Sequence, residues 1–78
     1  MTTIDLITDW RAALEGESYM SASRVQDRLL GLWGDVGQPG TALVEEWLTI
    51  SRHRQLFSVD EIRAFLDQLE AVVGSLSY

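Results

Sequence analysis

Phe57-Ser58-Val59-Asp60-Glu61-Ile62-Arg63-Ala64-Phe65-Leu66-Asp67-Gln68-Leu69 decides the fold class. Ser58 and Glu61 have the spacing of a capping box, in which each end of the pair satisfies a backbone N–H that the helix leaves open. Phe57 and Ile62 stand just outside and four residues inside that cap, where two apolar side chains staple the chain's entry into the helix. Ile62, Phe65, Leu66, Leu69, Val72 and Val73 then repeat at helical spacing, and Leu76 continues the row. This predicts a helix over 58–74 that ends near Gly74, with Arg63 and Asp67 paired on its wet side.

Three further segments carry the same signal. Leu43, Val44, Trp47 and Ile50, flanked by Leu48, predict a helix over 41–53, with Pro39 in or near its first turn. Ala22, Val25, Leu29, Leu32 and Trp33 predict one over 22–33, with Leu30 at the edge of the stripe. Ser21 and the Ser23/Gln26 pair are its cap candidates. Gly31 weakens that helix or lets another approach closely. Leu6, Ile7, Trp10, Ala13 and Leu14 predict a helix over 4–15, capped by Thr2 or Thr3 and stopped by Gly16. Gly34-Asp35-Val36-Gly37-Gln38-Pro39-Gly40 is the surest loop; no strand precedes it and no lysine follows it, so it is no phosphate cradle. No internal repeat is evident. Stripes about three residues in seven wide suit globular packing. The expectation is an all-α compact bundle of four short helices forming a single domain over 1–78, with room for a homodimer seam along the last helix.

Composition narrows function mainly by exclusion. At 78 residues the core is small, and without cysteine no disulfide helps it. One histidine and no thiolate leave no zinc set, and neither a Glu-x-x-His motif nor a calcium-loop pattern occurs. The chain is expected to hold no cofactor and to have no catalytic residues, since a domain this small has little room for a water-excluding pocket. Six arginines against twelve acids, net charge −6, make nucleic acid an unlikely ligand by repulsion from phosphate. There is no signal-peptide pattern and no apolar run of membrane length, so a cytoplasmic protein with no membrane partner is expected.

The reading that remains is a small acidic protein-binding module, a regulatory, inhibitory or accessory subunit whose partner is another protein or a second copy. Leu30 and Leu48, flanking their stripes, with Trp33 would form an apolar edge, and tryptophan is enriched where interfaces anchor. Arg52 and Arg54, flanking His53, form the one dense basic patch and complete the candidate partner-binding set; a helix C-terminus would favour the same cations. Two alternatives come from other classes. A carrier-protein-like component of an enzyme complex fits the size and acidity, but acyl carrier proteins need Asp-Ser-Leu opening the second helix, where this chain has Ser21-Ala22-Ser23-Arg24. A DNA-binding regulator of helix-turn-helix type could turn through Arg54-Gln55-Leu56-Phe57, but its recognition helix would carry Asp60, Glu61, Asp67 and Glu70 against Arg63.

Overall fold

The four helical stripes close around one core, and a two-stranded ribbon joins them at its centre. The computed structural model describes residues 2–37 and 40–75. The elements run α1 (Thr3–Ala13), β1 (Tyr19–Ser21), α2 (Ala22–Asp35), α3 (Gly40–Ser51), β2 (Leu56–Ser58) and α4 (Val59–Ser75). The helix starts agree with the expected ones to within one residue. Gly16, in the connection from α1 to β1, adopts φ +79°, a left-handed conformation that glycine takes without strain. Thr2 caps α1 in a full capping box with Asp5. Ser58 Oγ accepts from the Glu61 backbone N–H at 3.2 Å, but the return half of the expected capping box is absent, because the Glu61 carboxylate pairs with Arg54.

Several expectations need correction. The fold is not all-α: β1 and β2 pair antiparallel, with Met20 opposite Phe57 and Tyr19 and Ser21 opposite Ser58 and Leu56. Three-residue strands are too short to show a period of two. They exist because two connections meet, and each supplies the other's backbone partners. Asp67 pairs across the fold with Arg11 rather than along its helix with Arg63. Ser21, not Ser23, is the N-cap of α2, and it makes no side-chain cap bond. The helix expected to stop at Gly74 runs to Ser75. Pro39 and Leu76 lie outside the described residues.

The chain also repeats itself, which its sequence did not announce. A shift of 37 residues carries Trp10 to Trp47 and the start of every element in the first half to the second: Thr3 to Gly40, Tyr19 to Leu56, Ala22 to Val59. Inward positions keep their character under that shift. Ile7 becomes Val44, Met20 becomes Phe57, Val25 becomes Ile62, and Leu29 and Leu32 become Leu66 and Leu69, all of them buried. The hydrogen bonds that seal the ribbon's ends repeat too: Ala22 N–H donates to Gln55 O, and Val59 N–H to Ser18 O, each at 3.0 Å. The molecule is therefore two helix–strand–helix halves related by an approximate two-fold axis between Met20 and Phe57.

Aromatic rings fill the space between the halves. Phe65 lies 6.1 Å edge-on from Trp10 and 4.5 Å from Trp47, and Trp47 stacks on Phe57 at 5.4 Å. Offset and edge contacts of this kind add to the burial itself. The Cα radius of gyration, 11.7 Å, is close to the roughly 11.5 Å expected for one tightly packed domain of this length.

Candidate functional site

A groove of about 400 Å³ lies between α2 and α3. Leu30 and Trp33 line it from α2; Glu45, Leu48 and Thr49 line it from α3, with Arg52 just beyond that helix. Leu30 and Trp33 are three apart and share a helix face. Glu45, Leu48, Thr49 and Arg52 are spaced i, i+3, i+4, i+7 and share another. Antiparallel packing of the two helices turns both faces toward one cleft. Leu30 stays 56% exposed and Trp33 48% exposed, although both are large and apolar.

Four of the five residues expected to contact a partner, Leu30, Trp33, Leu48 and Arg52, therefore meet in one place. The fifth, Arg54, does not. Its guanidinium pairs with Glu61 at 2.8 Å and lies 4.4 Å over the Phe57 ring, where it covers the end of the core. The basic patch is thus divided between two tasks. Arg52 has no side-chain partner among the described residues. Glu45 and Thr49 were missed as groove residues, although their spacing from Leu48 and Arg52 along the helix was available as a signal.

Trp33 is held, not loose. Its indole Nε1 donates to Glu45 Oε1 at 3.1 Å, which fixes the ring across the groove and leaves its apolar body in solvent. Thr49 Oγ1 donates to the Glu45 carbonyl at 3.1 Å and does not face a ligand as a free hydroxyl.

The approximate two-fold provides an internal comparison. Under the 37-residue shift Leu30, Trp33 and Leu48 correspond to Asp67, Glu70 and Arg11, on the α1/α4 side. There Arg11 Nη2 reaches Asp67 and Glu70, each at 2.7 Å. The hydrogen bond that Arg11 donates to Asp67 pushes its guanidinium further toward the charged form; burial opposes this, and the bond donated to Glu70 adds to it. The α1/α4 side closes these three positions with ion-paired charges; the α2/α3 side leaves them as two leucines and a tryptophan.

A helix–loop–helix unit invites comparison with calcium loops, which supply several spaced oxygen ligands. The connection after α1 offers Glu15 and Glu17, and the one after α3 offers Arg52, His53 and Arg54. Among the described residues no three His, Asp or Glu side chains gather where they could hold an ion. No helix among them is long and apolar enough to cross a membrane. Comparison with protein-family models, with curated proteins and with solved structures gave no match.

Proposed function

We propose that this protein is a non-catalytic binding module, a regulatory, inhibitory or accessory subunit of the cytoplasm, whose working surface is the α2/α3 groove. The observation that carries the reading is the comparison between halves. The fold accepts charged side chains at Arg11, Asp67 and Glu70, with Asp67 and Glu70 largely in solvent, so it does not require apolar ones at Leu30 and Trp33. Leu30 and Trp33, exposed beside a half-buried Leu48, favour association over solubility, and a partner that covers them recovers the hydrophobic free energy. Trp33, pinned by Glu45, is the anchor. A ring already ordered loses little freedom on binding. Arg52 and Glu45 at the groove's two ends set orientation and encounter rate.

The experiment is a matched pair of surface substitutions. Leu30→Asp introduces at the groove the residue type that Asp67 already supplies at the equivalent place; Asp67→Asn perturbs the ion-paired side alone. Each variant, immobilised beside the wild type, is presented to extract of the native host, and bound chains are identified by cross-linking and mass spectrometry. A protein retained by wild type and Asp67→Asn, and lost with Leu30→Asp while the helical circular dichroism is unchanged, supports the reading. Equal retention by all three variants overturns it.

A further inference from the structure

The groove's own charge order names an occupant. Along α3 the order is acid, leucine, cation: Glu45, Leu48, Arg52. Seven residues span two helical turns, about 10.5 Å, and place both charges on one face with Leu48 between them. A surface with that order fits itself when one copy is reversed. A two-fold axis near Leu48 sets each Glu45 against the other copy's Arg52, and it does so twice; unreversed, like would meet like. Both charges are available for this. Arg52 has no side-chain partner within the chain's described residues. The Glu45 carboxylate accepts from Trp33 through Oε1, which leaves Oε2 to accept from an incoming guanidinium.

Resting on the groove being a docking surface, the geometry points to a second copy of this chain as its occupant, in a closed dimer whose two identical patches contact each other. Leu30, Trp33 and Leu48 of each copy form the dry centre, and the two Glu45–Arg52 pairs form its ends. The association is weak. A standard dimer buries about 800 Å² per copy, about one-sixth of the 4824 Å² surface, and the groove by itself offers less. The −6 charge on each copy opposes encounter as well. At about 0.15 M salt that repulsion is screened beyond about 8 Å, whereas ion pairs in contact persist.

The test is sedimentation equilibrium of the full chain at that salt, from micromolar to millimolar concentration, with Glu45→Arg, with Arg52→Glu, and with their equimolar mixture. The wild type is expected to gain mass toward a dimer. Each single variant sets like charge against like at both ends and weakens self-association about tenfold or more. In the mixture each variant presents the charge the other lacks, so a heterodimer forms, identified by labelling one chain with heavy isotopes and weighing the native complex. A wild type that stays monomeric at every concentration overturns the inference, as does a mixture no more associated than its components. The broader reading fails separately, when Leu30→Asp leaves capture of a distinct protein unchanged.

Discussion

Leu29 and Leu30 are neighbours on α2, and the structure assigns them opposite duties. Leu29 is 0% exposed and Leu30 56% exposed. Truncating Leu29 to alanine removes buried carbon and leaves a cavity, together about 2–5 kcal/mol. Truncating Leu30 removes a side chain less than half withdrawn from water, when full burial is worth about 1.5–3 kcal/mol. No cavity forms because the site is open, and alanine is a slightly better helix former. Leu30→Ala should therefore cost about 0.5 kcal/mol. A chain of 78 residues has a total stability of about 4–12 kcal/mol, so only the first loss is severe. At about 4–8 °C of Tm per kcal/mol for a domain this size, Leu29→Ala melts about 8–40 °C lower and Leu30→Ala no more than about 5 °C lower. Urea unfolding followed by far-ultraviolet circular dichroism measures both, with equal slopes expected. Association should rank the other way, hurt by Leu30→Ala and spared by Leu29→Ala wherever that variant remains folded. If Leu30→Ala costs more than about 1.5 kcal/mol, Leu30 belongs to the core and the α2/α3 groove is no free surface.

Two glycines on the same helical framework should respond in opposite directions. A Cβ on Gly40, at the start of α3, would run into Val36 Cγ2 and meet Leu69 Cδ1 at 3.5 Å. Because the β-branched Val36 cannot easily swing away, Gly40→Ala is expected to destabilise by about 1–3 kcal/mol in the same urea assay. A Cβ on Gly31 meets nothing within 4 Å, so Gly31→Ala should stabilise by about 0.5–1 kcal/mol. The capping box gives a pH signature. The Thr2 backbone N–H, and then its hydroxyl, hold the Asp5 carboxyl below its ordinary value of 3.8. A carboxylate with a depressed native pKa contributes stability above its unfolded pKa and loses that contribution as pH falls through the native one. Carbon-detected NMR titration should place Asp5 below 3.8 in the wild type and nearer 3.8 in Thr2→Ala, whose stability deficit should shrink in acid.

The helices were legible because a 3.6-residue period survives in sequence whatever packs against it. Ile62, Phe65, Leu66 and Leu69 form one buried stripe in the structure as they do on paper. The ribbon was not legible. Three residues cannot display alternation, and the pairing of Met20 with Phe57 is a tertiary fact. Nor was the repeat, for a reason visible in the outward positions. While Leu29/Leu66 and Trp10/Trp47 persist, Glu15 and Glu17 correspond to Arg52 and Arg54, with charge of the opposite sign, and Leu30 corresponds to Asp67. Comparison weighted evenly along the chain sees mostly these differences. Among the site residues, Leu30 could be read from its place at the edge of the stripe, whereas the spacing put Trp33 on the stripe itself and only the enrichment of tryptophan at interfaces pointed outward. Arg54 could not, because its contact with Phe57 depends on the turn from α3 into β2.

The asymmetry between the halves also explains how so small a protein can keep a tryptophan out of its core. At one pair of equivalent positions the first half has Arg28, ion-paired with Asp9 at 2.6 Å, and the second has Phe65, fully buried between Trp10 and Trp47. The second half thus sends an extra ring inward, and its outer face can then be charged: Asp67 and Glu70 meet Arg11 there. The first half sends nothing comparable inward from α2 at that level, yet its outer face is apolar. Had the chain been shaped for stability alone, the exposed ring would be the one to bury or replace, since a half-exposed tryptophan stabilises the monomer less than a buried one and favours aggregation. Instead Trp33 is tethered to Glu45 and kept at the surface by a specific hydrogen bond. A fold that satisfies its core with Phe65 and Phe57 and still orients a third indole toward solvent has separated the residues that hold it together from those free to meet something else.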